Sequence, residues 1–254
     1  MDTSSNLCKN CGETTSGKYC INCGQEAKTG RIDRHYIIHE IQHTVFHVDR
    51  GILYTIKELL VRPGSTIREY LLGKRVSYFK PFAFVIIMGT IYGFMGYFFK
   101  VYPEESIMFS DPGNADANRY SQQTIDWIYG HYSLVMLAFI PFYALASYIM
   151  FRKTGYNYIE FLVISSYISG IQIFLHIVTY FIYYLTLSDW IVGFILLISY
   201  LYAIWTYIQL FGTKSWVSVI FRTLISTVLS VFFIMITSTA FFVILFILFP
   251  GLRP

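Results

Sequence analysis

Cys8, Cys11, Cys20 and Cys23 are the only thiols among 254 residues, and they form C-x2-C-x8-C-x2-C with a glycine after each pair, Gly12 and Gly24. Each C-x-x-C-G turn points two sulfurs at one spot, and two such turns supply the tetrahedral thiolate set that suits Zn2+. A segment of about 30 residues is too short to bury four cysteines in a core of its own, and a reducing compartment disfavours disulfides. The spacing therefore predicts one zinc per chain. With four protein ligands the ion keeps no open coordination position, so its expected role is structural. Lys9, Lys18 and Lys28, with Tyr19 as the sole aromatic of residues 1–30, make too thin a basic surface for nucleic acid. Docking of a cytoplasmic protein, or a folding role, is expected instead.

A second set with chemical capacity follows. His35, His39, His43 and His47 recur every four residues, opposite an apolar stripe of Ile37, Ile41, Val45, Val48, Ile52, Ile56 and Leu59. The pattern predicts an amphipathic helix from Asp33, its N-cap, to Leu60, lying on the membrane surface or against a bundle. Residues four apart share a face, but between His35 and His47 that face drifts by about 120°. Adjacent histidines could bind one metal with help from Glu40 or Asp49; all four could not. Two readings stand side by side: a solvated polar face, and a metal or pH-sensing site, since histidine titrates near neutrality.

The elements that position these groups turn on Arg62–Pro81, R-P-G-S-T-I-R-E-Y-L-L-G-K-R-V-S-Y-F-K-P, which carries five basic residues (Arg62, Arg68, Lys74, Arg75, Lys80) and one acid. Such a segment belongs on the cytoplasmic side of a membrane. Pro63-Gly64 is expected to break the preceding helix, Ser65 to cap a short one with Glu69 in its first turn, and Gly73 to end it. The pairing of C-x-N-C-G and Y-C-x-N-C-G-Q with F-H-x-D-R-G (Phe46 to Gly51) and R-P-G-x-x-I-R-E-Y-x-x-G-K-R resembles a bacterial membrane-protein family of unknown function. The resemblance covers residues 7 to 85. It implies a zinc ribbon joined to a multispanning region and brings no activity. It makes His47, Asp49, Arg50, Arg68, Tyr70, Gly73, Lys74 and Arg75 candidates for whatever the family does. The alternative role for Arg62, Arg68, Tyr70, Lys74, Arg75 and Lys80 is docking at anionic headgroups or a partner, at about 1 kcal/mol per basic side chain near the surface.

Beyond Lys80 the chain is sparsely charged. The whole is 55% hydrophobic and 13% charged, far from the composition of a soluble domain. Five apolar segments, 82–99, 133–151, 158–187, 190–211 and 217–249, are each long enough to cross a hydrocarbon core of about 30 Å. The acidic, turn-rich loop 101–130 is placed outside, Arg152 and Lys153 inside, Asp189 outside, and Lys214 and Arg222 inside. Every loop agrees with a cytoplasmic N-terminus and an outer C-terminus; the resemblance implies that the membrane is a bacterial inner membrane. The expected fold is an all-α membrane protein: a zinc ribbon (1–30), an amphipathic and a basic juxtamembrane helix (31–80), then a five-span domain (81–254).

Polar residues inside the spans are the remaining signal. Ser165, Ser169, Gln172, His176, Thr179 and Tyr183 form one seam along the third span. Ser199, Tyr202, Thr206 and Gln209 form a softer one on the fourth, and Thr223, Ser226, Ser230 and Thr237 mark the fifth. Packing between helices explains such seams, and so does an intramembrane cavity lined by Glu160, Gln172, His176, Thr206, Gln209 and Arg222. Gly89, Gly93 and Gly96 on the first span contain a G-x-x-x-G association pattern, and Pro141 is expected to kink the second. No complete catalytic constellation is present. The leading expectation is a non-enzymatic docking, sensing or scaffold protein. A homo-oligomeric channel or transporter along the seams, and a metal-dependent lipid-modifying enzyme using His35 to His47, are the alternatives.

Overall fold

A computed structural model describes residues 6–27, 29–33, 51–99, 115–186, 190–212 and 215–248, with the backbone alone at 6, 115–121, 192 and 241–248. Two short antiparallel strands, β1 (Asn6–Leu7) and β2 (Thr14–Thr15), open the chain. Helices α1 (Ile52–Val61) and α2 (Pro63–Leu72) precede the membrane region. Then come α3 (Pro81–Phe99), α4 (Ala115–Gly130), α5 (Tyr132–Phe151), α6 (Tyr158–Thr186), α7 (Trp190–Phe211) and α8 (Trp216–Leu248).

Five helices, α3 and α5 to α8, are long and apolar enough to cross a membrane. At 1.5 Å per residue the shortest, α3, reaches about 28 Å. These helices cover the five apolar segments, and each ends where a charge, proline or turn interrupts the apolar run. The chain is an all-α multi-pass membrane protein.

The most enclosed span is α6, which packs on α3, α5 and α7 and touches α1 and α2. Its small residues allow the approach. Gly170 lies so close to α3 that an added Cβ would sit 2.3 Å from Cδ1 of the fully buried Phe84. The peripheral α8 leaves Phe221, Val228, Phe232 and Met235 exposed, as a lipid-facing helix must. Pro141 sits inside α5 without ending it.

Two expectations need correction. Ser65 does not cap α2: the helix begins at Pro63, with Arg62 as N-cap and no side-chain capping bond. Proline is well suited to the first helical position, where its missing N–H is no loss, so only Arg62 separates α1 from α2. Gly73 does close α2, at φ 116°. Second, loop 101–130 contains helix α4, which packs on α3. Its polar composition hides a short apolar face: Ile125 and Tyr129, four residues apart, are both buried. The G-x-x-x-G face of α3 receives it. A Cβ on Gly96 would overlap the Tyr129 ring, and one on Gly93 would lie 2.6 Å from the Tyr129 carbonyl. The histidine-bearing segment, with His35, His39, His43, His47 and Asp49, lies outside the described residues, which stop at Asp33 and resume at Gly51.

Candidate metal centre and its junction with the bundle

The two cysteine turns fold alike. Cys8 N–H donates to the Glu13 carbonyl and Gly12 N–H to that of Cys8; twelve residues on, Cys20 bonds to Gln25 and Gly24 to Cys20 in the same way. Gly12 (φ 79°) and Gly24 (φ 75°) supply the left-handed backbone each turn requires. The result brings all four sulfurs within 4.8 Å of one another, with Cys8 to Cys23 and Cys11 to Cys20 at 3.5 Å. A tetrahedral ion with metal–sulfur bonds of about 2.3 Å needs sulfurs about 3.8 Å apart, so the four cysteines fit a metal site. Turn N–H groups, that of Cys11 first, bring the Cys8 thiol down to about 7 against the effect of burial. Cys11 is driven the other way, to about 12: the Glu13 N–H lowers it, but burial and the three facing sulfurs outweigh that. Four thiols this close cannot all ionise unless a cation joins them.

The ribbon is bolted to the chain behind it. Gln25, 4% exposed, donates from Nε2 to the Gly73 carbonyl (2.8 Å) and accepts at Oε1 from the N–H groups of Arg75 (3.0 Å) and Val76 (3.3 Å). Asn10 Oδ1 accepts from both the N–H and the hydroxyl of Ser77. Two knuckle amides thus satisfy the backbone of the α2–α3 connection, where no secondary structure could. Neither residue was singled out by its sequence position, although both stand inside the C-x-N-C-G and N-C-G-Q motifs.

Arg31 makes the third attachment. Its guanidinium donates from Nε and Nη2 to the two oxygens of Glu160 (2.8 and 2.7 Å) and from Nη2 to the Gly155 carbonyl. Glu160, buried in the first turn of α6, also accepts from Asn157 N–H, while Asn157 Oδ1 accepts from Glu160 N–H. This reciprocal pair is a capping box at the start of α6. Asn157 Nδ2 reaches back to the Ile32 carbonyl. Glu160 therefore belongs to this junction and not to a cavity wall.

The basic collar is largely bonded within the chain. Arg62 pairs with Glu58 and Glu69; Lys74 and the Tyr78 hydroxyl also donate to Glu69, at 2.9 and 2.6 Å. Arg68 donates to the carbonyls of Gln209 and Leu210 at the C-terminal end of α7, where a cation meets the negative end of the helix dipole. Arg75 bonds to the Gly30 carbonyl. Tyr70 is 1% exposed and packs edge-on against Tyr167, which corrects its placement as a surface docking residue. Lys80 is half-buried just before α3.

Burial raises the Glu69 pKa, but donors from Tyr78, Lys74 and Arg62 outweigh it and hold the carboxyl at about 2, below its ordinary 4.5. A depressed carboxylate contributes stability above its unfolded value and loses it as pH falls through the folded one. Glu69→Gln is expected to cost about 1–2 kcal/mol at pH 7, after allowing for solvent screening. Thermal unfolding of both proteins should show that gap closing between pH 4.5 and about 2.

Between the spans, α5, α6, α7 and α8 line a half-open cavity of about 470 Å³. The seam residues Ser165, Ser169, Gln172, His176, Ser199, Thr223, Ser226 and Ser230 lie on its wall. Of the six candidate cavity residues, only Gln172 and His176 do. Thr206 is fully buried and donates to the Tyr202 carbonyl; Gln209 accepts from Gly64 N–H. Arg222 lines a separate crevice with Lys153 near the start of α8. Helical spacing identified the seam but not which of its members face a neighbour.

Fold and junction together define a multispanning membrane protein with a four-cysteine ribbon clamped to its juxtamembrane helices. Residues 49–93 match the family described as "Protein of unknown function (DUF3667)"; the match starts after the cysteine ribbon and ends within α3. No curated protein and no solved structure matches the chain.

Proposed function

We propose that the protein is a non-enzymatic docking scaffold of a bacterial inner membrane, built as a ribbon, a juxtamembrane collar and a five-span domain. The ion in the ribbon is Zn2+, structural and one per chain, and the ribbon faces the cytoplasm, where the positive collar and Arg152 and Lys153 favour it. One observation carries this reading. Asn10, Gln25 and Arg31 tie the ribbon to the bundle, while Leu7, Tyr19 and Ile21 stand 65%, 56% and 91% exposed on it. A small metal-held module fixed to a membrane domain, with apolar side chains left in water, suits capture of a partner protein.

The test is photocrosslinking from position 21 in native membranes. A discrete protein adduct, lost when Leu7→Asp is added, is expected. Labelling of lipid alone, or an adduct indifferent to Leu7, would sink the reading. An enzyme using the His35 to His47 face draws no support from the described residues, which do not include it.

A further inference from the structure

We infer that the crevice between the ends of α5 and α7 and the start of α8 binds the phosphate of an anionic phospholipid headgroup, with Arg222 and Lys153 as its cationic contacts. The crevice measures about 400 Å³, in the range of small-molecule sites. Arg222 is the one charged residue of α8 and stands about 9 Å along that helix from Trp216, at 1.5 Å per residue. A charge inside an apolar span is costly unless something pairs with it. Yet its single bond to a described residue runs from Nη1 to the Met150 carbonyl, at a long 3.4 Å. Lys153 stands exposed in the turn after α5. Among the described residues neither cation pairs with a carboxylate; the ion pairs there belong to Arg31, Arg62 and Lys74. The basic collar is largely bonded within the chain, and these two side chains are not.

The sequence supplies little to neutralise the pair. From His131 to Pro254 it has two acids, Glu160 and Asp189. Glu160 is taken by Arg31. Asp189 precedes α7, whereas the crevice lies beside Leu210 and Phe211 at that helix's other end. No described residue on the wall is acidic. Two cations without a carboxylate suit a phosphate of net negative charge, which arginine binds through paired N–H donors, and give a choline or ethanolamine ammonium nothing to pair with. The wall also carries the hydroxyl-bearing Ser218 and Tyr156 and the buried, apolar Phe151, Leu210 and Val219, a mixture that fits a headgroup and its glycerol. Position names lipid as the source. Arg31 bonds to the carbonyl of Gly155, between the crevice residues Thr154 and Tyr156, so the crevice lies at the ribbon's end of the bundle. Trp216 and Phe221, exposed on α8, flank Ser218 and Val219 and put the crevice beside the bilayer, where basic pockets between spans take up headgroups.

The test is thermal unfolding of the full-length protein, purified free of lipid in dodecyl maltoside and titrated with one of four probes. Dioleoylphosphatidylglycerol should raise Tm saturably. Dioleoylphosphatidylcholine, dioleoylglycerol and inorganic phosphate, which lack the net charge, the phosphate and the lipid respectively, should not. Lys153→Gln/Arg222→Gln should weaken the response about tenfold or more, as loss of charge-assisted hydrogen bonds does. Arg152→Gln, which removes an exposed cation outside the crevice, should leave it unchanged. Ser218→Glu, one turn before Arg222, brings a carboxylate to that side chain. It should unfold at or above the wild-type temperature without lipid, which shows that it folds, and should no longer respond to phosphatidylglycerol. Equal stabilisation by any of the other three probes, a response that survives in the crevice variants, or none in the wild type would overturn the assignment.

Discussion

Cys20→Ser in the full-length protein is expected to abolish metal retention and to release residues 6–33 from the bundle. Cys20 is 3% exposed, 3.5 Å from Cys11. The ribbon's strands have two residues each, so the proposed zinc would be its main stabiliser. Structural zinc contributes about 10–16 kcal/mol to the folding of such modules at neutral pH, more than any other interaction here. Without it Gln25 leaves Gly73, Arg75 and Val76, and Arg31 leaves Glu160. Metal analysis should fall from one zinc per chain to none. Hydrogen exchange should accelerate across residues 6–27 and the Gly73–Ser77 connection, while α3 and α5 to α8 keep their protection. Full zinc in the variant would remove the cysteines as the site. One zinc retained beside one lost would place a second ion elsewhere, and His39→Ala/His43→Ala would then test the histidine segment.

The second large effect is expected from Gly64→Val. A Cβ at Gly64 would lie 2.3 Å from Gln209 Cβ and 2.7 and 2.9 Å from backbone atoms of Gln209 and Leu210. Backbone cannot yield as a side-chain tip does, so α2 must lift away from α7. That movement breaks the Gly64 N–H bond to Gln209 Oε1 (3.0 Å) and both Arg68 bonds to the end of α7. Overpacking together with these losses should cost about 3 kcal/mol or more, a drop in Tm of roughly 6–12 °C for a chain of this size. Gly30→Ala, where a Cβ meets nothing within 4 Å, should stay within about 0.5 kcal/mol of wild type. Equal Tm for Gly64→Val and wild type would mean that the α2–α7 contact is not close in solution.

The glycine of R-P-G thus acts through contact with a helix about 145 residues later, which no local pattern reveals. The same holds for Arg68. As a sequence it is one more positive charge at a membrane edge; in the fold it closes the end of α7. Glu160 read as a polar residue at a span's rim, yet it joins a capping box to Arg31.

What the sequence determined alone is whatever short-range chemistry dictates. The C-x2-C pairs with their glycines set a four-sulfur site, because two residues are the span of one turn. Apolar runs broken by charges set five spans, because a segment crossing hydrocarbon must satisfy its backbone bonds without water, which a continuous apolar helix does within itself. Only the tertiary structure decided which polar atoms meet. Gln25 finds Gly73, Gln172 finds the Ser199 carbonyl, and α4 forms where Gly93 and Gly96 make room for Tyr129. A residue's spacing states which face of its helix it occupies; whether that face meets lipid, protein or a void depends on helices distant in the chain.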